Sequence, residues 1–362
     1  MKIIYIDDDK KDLADFSEIF KNIKVGGESI TTELIYSNQI LKEPDIFDRK
    51  DVDLILVDFN LDKAEYDEIP FAFDGITLTT LLRQKFPSVP IILFTRPDMF
   101  KKNMFSAISP IITGIDDYVY KEDYLIPDKA KNGVIFQINE GYRILRKCRS
   151  KKLDDLLDLV KVPEEDQEII CKTFPKTSFS EMGHWSEFPV AKWIRKTLME
   201  YPGLLYDDRH AATCLGISVD AFNKDTVQAF FDEARYKGIF SDERKLWWKS
   251  QLRKKVDANM NKKEISLDFR KGFHAMWKRL NKESLEVATC CYSKESPAEW
   301  VCYLLKEPVM LKYSLKYYGD NRPSYMDEMR VSFKAIQEED DIIPELIDPK
   351  GRTIFDKLVN GK

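Results

Sequence analysis

Residues 53–58 read Asp-Leu-Ile-Leu-Val-Asp. Four consecutive aliphatic residues closed by an acid mark a strand buried on both faces, because a strand with one wet face would alternate. Two other stretches share the form. Residues 2–7 (KIIYID) are apolar up to an acidic end, and residues 90–95 (PIILFT) close on a threonine. Between and beyond them the period changes. Residues 12–23 place Leu13, Phe16, Ile19, Phe20 and Ile23 at helical spacing. Residues 30–36 alternate and are rich in β-branched side chains. Residues 75–86 are helical by period and stop at Pro87. A further helix is expected at 98–108, a short strand at 117–120 ending at Lys121, and a basic-ended amphipathic helix at 134–149. Strands alternating with helices predict an α/β fold, a doubly wound five-stranded parallel sheet covered on both faces. Such sheets bind ligands beyond the carboxyl ends of their strands. Here those ends carry Asp7, Asp8, Asp58, Thr95 and Lys121.

The whole chain has 362 residues, enough for about two domains of ~150 residues each. Its 43% hydrophobic and 33% charged content is that of a soluble globular protein. The N-terminus turns acidic too soon for a signal peptide, and no apolar run reaches the roughly 18 residues of a membrane span. Six cysteines without CxxC spacing read as reduced thiols of a cytoplasmic protein. Three scattered histidines argue against zinc clusters and most histidine-based catalysis. The formal net charge of −5 is unevenly placed: residues 1–150 hold 21 Lys+Arg against 26 Asp+Glu, and the remainder balances 36 against 36.

The strand-end residues suggest a chemistry. Carboxylates as close as Asp8 and Asp58 on neighbouring strands repel and call for a cation. An all-oxygen site suits Mg²⁺, which brings phosphate as a further ligand. Lys121 offers a charge, and Thr95 a hydroxyl, to phosphoryl oxygens. Asp58 is then a candidate nucleophile, forming an aspartyl phosphate.

This set resembles the receiver domain of two-component response regulators over about residues 1–147. The matching elements are Ile6-Asp7-Asp8, Asp58 closing DLILVD, Asp74-Gly75 opening a helix, Thr95 closing PIILFT, and Tyr118-Val119-Tyr120-Lys121. The resemblance implies Mg²⁺ held by Asp7, Asp8, Asp58 and the Asn60 backbone carbonyl, with Asp58 as phosphoacceptor. It implies that Thr95 and Lys121 sense the phosphate and that Tyr118 swings inward on activation. Three features depart from the family. The segment between Asp58 and Gly75 is long, Arg96 stands where a small residue is usual, and Glu122 stands where proline is usual. Arg96 can block the inward path of Tyr118 or pair with the phosphoryl group. A pseudo-receiver with merely structural acids is the alternative.

Residues 148–160 read as a linker or helix extension, and 161–362 as a mostly helical output or interaction domain without a recognisable enzyme motif. Residues 210–222 (HAATCLGISVDAF) resemble a helix-turn-helix core, with Gly216 at the turn and Ser218 capping the next helix. That next helix, 218–234, is acidic, which disfavours DNA phosphates. Residues 244–282 hold 13 Lys+Arg against three acids, with interleaved aromatics. Arg244, Lys245, Trp247, Trp248, Lys249, Arg253, Lys254 and Lys255 open this stretch. It can bind nucleic acid by charge and stacking, dock an acidic partner, or be a solvated face over core aromatics. Cys290, Cys291 and Cys302 are expected in an apolar helical core.

The expected function is a bacterial, response-regulator-like signalling protein that takes a phosphoryl group from a histidine kinase with Mg²⁺. Its output would be a downstream protein partner, a phosphate sink or relay role as in antiviral signalling, or a homodimer. A phosphorylation-controlled DNA-binding regulator is the alternative output, and a pseudo-receiver fused to an unrecognised enzyme domain is the alternative class. No membrane role is expected.

Overall fold

The computed structural model describes residues 1–37, 40, 49, 51–61, 75–96, 114–124, 133–180, 183–318, 322–339 and 342–361. The chain divides into two compact units. One comprises Met1–Asp155 with Pro175–Trp193, the other Leu156–Phe174 with Ile194–Lys362. The sequence places one change of character at 148–160; the chain itself crosses between units three times.

In the first unit, β1 (Lys2–Asp7), β2 (Thr31–Tyr36), β3 (Leu54–Asp58), β4 (Ile91–Thr95) and β5 (Asp117–Tyr120) form one sheet. Its order is β2-β1-β3-β4-β5 and every pairing is parallel. This is the doubly wound arrangement of flavodoxin-like folds, with the topological switch point between β1 and β3. Burial follows position. All five residues of β3 and of β4 are buried, whereas the edge strands β2 and β5 are only partly covered. Helices α1 (Lys10–Lys21), α2 (Gly75–Lys85) and α3 (Val134–Lys147) accompany the sheet. The Asp9 side chain caps α1, accepting from the backbone N–H groups of Lys11 and Asp12 at 2.8 and 3.3 Å. Buried Asp116 ties three elements together. It accepts from Arg83 of α2 at 2.6 Å, from the Ile91 backbone N–H at 2.8 Å, and from the Tyr142 hydroxyl of α3. The helix expected at 98–108, Asp74 and all but the first three residues of the long segment after Asp58 lie outside the described residues.

The second unit is largely helical, with three small antiparallel strand pairs among the described residues. One core gathers around helices Asp208–Leu215, Lys249–Asn259 and Phe269–Asn281. Another includes Cys290, Cys302, Leu315, Val331 and Phe355. Cys290 and Cys302 are buried as core thiols, but in extended and turn segments rather than in helices. Their sulfurs accept from the backbone N–H groups of Met310 at 3.4 Å and Ser332 at 3.3 Å. All six cysteines are free.

The turn at 216–218 forms as expected. Gly216 adopts φ +76°, a conformation unfavourable to L side chains, and Ser218 caps the next helix through Ala221 N–H at 3.1 Å. The recognition-like helix does not form. Residues 218–234 break into Val219–Phe222, Asp225–Phe230 and a 3₁₀ turn at Asp232–Ala234. Phe222 and Phe231, nine residues apart, would face opposite sides of a continuous helix of about 100° per residue. The break turns both into one core, with ring centroids 6.2 Å apart.

Candidate functional site

The parallel register sets the site. Ile6 pairs with Val57, Asp58 with Phe94, and Thr95 with Tyr120. Asp7 and Asp58 therefore finish their strands side by side at the switch point, and Lys121 follows directly on β5. The carboxylates of Asp7, Asp8 and Asp58 offer oxygens that all lie within 4.8 Å of one another, and all three residues are buried.

Lys121 answers this charge. Its buried Nζ lies 2.8 Å from Asp7 Oδ2, 2.8 Å from Asp58 Oδ1 and 2.8 Å from Asp12 Oδ2. Burial alone would lower the Lys121 ammonium, but Asp58 and Asp7 reverse this and hold it well above the usual range. The Asp58 carboxyl is raised as well, which favours its neutral form. Burial, then the charge of Asp7, push it up to about 7 against the pull of Lys121. One lysine among three clustered acids leaves an excess of negative charge, which a divalent cation would relieve. The donor set is all carboxylate oxygen, the chemistry that hard cations such as Mg²⁺ prefer.

The Asp58 carboxylate is held at both oxygens, since Oδ2 accepts from the Asn60 backbone N–H at 3.2 Å while Oδ1 meets Lys121. Behind it α2 starts in close contact. The Gly75 N–H donates to the Phe59 carbonyl at 3.1 Å, and a Cβ on Gly75 would lie only 2.1 Å from the Asp58 carbonyl oxygen. Glycine is needed there for space alone.

Three contributors are not apparent from the sequence. Tyr5 donates its hydroxyl to Asp7 Oδ2, and the Asp9 N–H donates to Asp7 Oδ1 at 2.8 Å. Asp12 accepts from Lys121 and also from Arg96 Nη2, at 3.2 and 3.0 Å. Burial raises the Asp12 carboxyl, but the hydrogen bonds and charges of Lys121 and Arg96 together outweigh it and the net shift is downward. Arg96 is thus engaged by an acid of α1. Thr95 is buried, and its hydroxyl lies 3.4 Å from the Arg96 carbonyl. Tyr118 is half-buried, packed against the sheet core, with its ring 6.2 Å from that of Tyr120.

The basic-aromatic stretch resolves differently from a stacking platform. Trp247, Trp248, Phe273 and Trp277 are core residues at 0–2% exposure. Much of its charge is paired with acids far away in sequence. Arg244 meets Glu200 at 2.9 Å, Lys249 meets Asp327 at 2.7 Å, Lys255 meets Glu233 at 2.7 Å, and Lys254 pairs with Glu165. Lys245 lies over the Trp247 ring and Arg253 over that of Phe269.

No family model matches the chain, and no curated protein matches it. Solved structures of receiver domains do match, over about the N-terminal 40% of the chain. The receiver domain of the response regulator AraT from Geobacillus stearothermophilus is 22% identical, with 40% of this chain covering 98% of it at a TM-score of 0.30. A Francisella response-regulator receiver domain is 21% identical, with 40% of this chain covering 98% of it at 0.27. The Thermotoga maritima response regulator TrrA, solved in complex with Mg²⁺–BeF, is 19% identical, with 33% of this chain covering 84% of it at 0.24. At these identities and scores, the receiver-like fold of the first unit stands on its strand order and register. No helix among the described residues is long and apolar enough to cross a membrane.

Proposed function

We propose that the first unit accepts a phosphoryl group on Asp58 from the phosphohistidine of a histidine kinase and passes that change to a protein partner. The observation that carries this reading is the meeting of Asp7, Asp8 and Asp58 within 4.8 Å beside a lysine that touches two of them. Asp7, Asp8 and Asp58 would hold Mg²⁺, with the Asn60 carbonyl as a further oxygen. The ion supplies positive charge that lets an anionic phosphoryl group approach anionic carboxylates.

The remaining chemistry belongs to the chain. An Asp58 carboxylate oxygen attacks phosphorus, a P–O bond forms, and the P–N bond to the kinase imidazole breaks, with the imidazole recovering its proton from solvent. Lys121, shared among three acids at rest, can pair instead with a phosphoryl oxygen. Thr95 stands one register step past the Asp58–Phe94 pair, and its hydroxyl would donate to another. Asp12, which Arg96 also holds, then loses or rearranges its bond to this lysine, which is the first mechanical consequence of phosphorylation; inward movement of Tyr118 would follow.

For the output, protein contact is favoured over DNA. The recognition-like helix is broken, and the aromatics of the basic stretch are core. A sink or relay role, including one in antiviral signalling, is compatible with an output that contacts protein.

The test is incubation with acetyl phosphate and Mg²⁺. A mass gain of one phosphoryl group, stable in acid, labile in base and absent from Asp58→Asn, is expected. No gain in the unsubstituted chain overturns the reading.

A further inference from the structure

The second unit contains a cavity of about 500 Å³. That is the size of small-molecule sites, which span roughly 300–1,000 Å³. It is lined entirely by residues of this unit, including six Lys or Arg and five Asp or Glu, and the cations are unevenly matched. Several lining cations are already matched: Arg244 by Glu200 and Lys249 by Asp327. His210 is bonded to Asp207 at 2.7 Å. Four others are not. Among the described residues, no carboxylate pairs with Arg209, Arg253, Arg270 or Lys306.

Arg270 is the most firmly placed of the four. Its guanidinium donates to two carbonyl oxygens, Thr213 at 3.2 Å and Glu299 at 3.0 Å, so its direction is set while its charge stays unneutralised. Gly216 makes this possible. A Cβ there would lie 2.9–3.1 Å from three carbons of the Arg270 stem. The glycine that turns the chain also lets the arginine reach the cavity wall. Thr213 supplies a second, independent sign. It is 2% exposed, lines the cavity, and its hydroxyl has no hydrogen-bond partner among the described residues. A buried hydroxyl without a partner costs stability unless a ligand completes it. The wall also presents Tyr206, Trp300 and Tyr303.

We infer that this cavity binds a small phosphate-bearing anion. Arg253, Arg270 and Lys306 meet the phosphate oxygens and the Thr213 hydroxyl donates to the same group. A single carboxylate would neutralise only one of the four unmatched cations, whereas a phosphate chain offers several charges and oxygens to guanidinium forks. Lys306 already lies over the Tyr303 ring at 4.4 Å and Lys249 over the Tyr206 ring at 5.2 Å, so Trp300 is the wall aromatic that would meet a ring carried on that phosphate. The cavity is thus a site in the output unit, separate in its residues from the proposed Asp58 chemistry and independent of it.

The test uses the full chain in EDTA, so that metal-assisted phosphate binding by the first unit does not contribute. Pyrophosphate and ADP are titrated by calorimetry. Saturable pyrophosphate binding is expected, weakened about tenfold or more in an Arg253→Gln, Lys306→Gln double variant, the scale of one lost charge-assisted hydrogen bond. It should be unchanged in Lys237→Gln, whose lysine pairs with Asp232 elsewhere. Thr213→Val should weaken binding several-fold while leaving the melting temperature equal or higher, a combination that a purely structural threonine would not give. Tighter binding of ADP than of pyrophosphate supports a ring on the ligand; equal binding supports recognition of the phosphate chain alone. The inference is overturned if pyrophosphate does not bind at millimolar concentration, or if it binds the double variant as well as the unsubstituted chain.

Discussion

Lys121 is shared by three carboxylates, so its removal is informative. Lys121→Met leaves Asp7, Asp12 and Asp58 without their common partner. Breaking a buried pair by removing one partner generally costs about 3–5 kcal/mol. We expect a lower melting temperature at pH 8 without metal, largely recovered by Mg²⁺, together with loss of acetyl-phosphate reactivity. A recovery that persists when EDTA is added in excess would contradict a metal role for these acids. Asp58 has its own signature. Its metal-free carboxyl is pushed up to about 7 by burial and by Asp7. An acid whose folded pKa is raised binds protons more tightly in the native state, so metal-free stability falls as pH rises from about 4 to 7. A bound cation must displace that proton. Apparent Mg²⁺ affinity should therefore rise roughly tenfold per pH unit below about 7 and level off above it. Titrations between pH 5.5 and 8.5, with Asp58→Asn as the flat control, check this. Asp7, Asp8, Asp58 and Lys121 are legible in the sequence because each closes or follows a strand of the sheet, buried and apolar for the three acids and a short edge strand for the lysine. Ends of neighbouring parallel strands lie side by side, so polar groups there must meet. Asp12 was not legible. An acid in the first turn of a helix is commonplace, and only the fold shows that its neighbour is a lysine 109 residues away.

At the level of elements, the central strands declared themselves through continuous burial, and the helices through period and caps. What stayed hidden was interruption. The stretch 218–234 has helical spacing in places, yet core geometry requires Phe222 and Phe231 on one side, and the chain breaks between them. Periodicity within a window cannot foresee which face a distant core will demand. Two glycines illustrate another such demand. Gly75 is needed because α2 begins against the Asp58 carbonyl, Gly216 because of φ +76° and the passing Arg270 stem. Gly75→Ala should destabilise the first unit by about 1–3 kcal/mol, as overpacking does, and slow phosphorylation of Asp58, measured by mass spectrometry against time. A variant phosphorylated at the unsubstituted rate would mean that α2 can withdraw from the strand end without consequence.

Across the whole molecule, counting charge by segment proved a poor guide to surface. The excess of basic residues at 244–282 is partly cancelled by Glu165, Glu200, Glu233 and Asp327, none of which lies within it. The acidity of residues 1–150, by contrast, includes a real cluster at the strand ends. Two sites in two units should report separately. In hydrogen exchange, Mg²⁺ is expected to protect amides near residues 6–9, 57–60 and 121, and pyrophosphate in EDTA those near 207–216 and 299–306. Protection of both regions by either ligand alone would reveal coupling between the sites. The path of the chain carries a practical consequence for anyone isolating the first unit. Residues 175–193 belong to it: Glu187 meets Lys151 at 2.6 Å and Ser88 at 2.9 Å, Phe188 lies 3.9 Å beneath the Arg83 guanidinium, and buried Trp185 donates to the Lys152 carbonyl at 2.9 Å. A fragment cut at 155 discards all of these. Splicing residue 155 to residue 175 through a short glycine-serine bridge should give the more soluble and more stable receiver-like fragment, and the difference in yield and melting point between the two designs measures what the returning segment contributes.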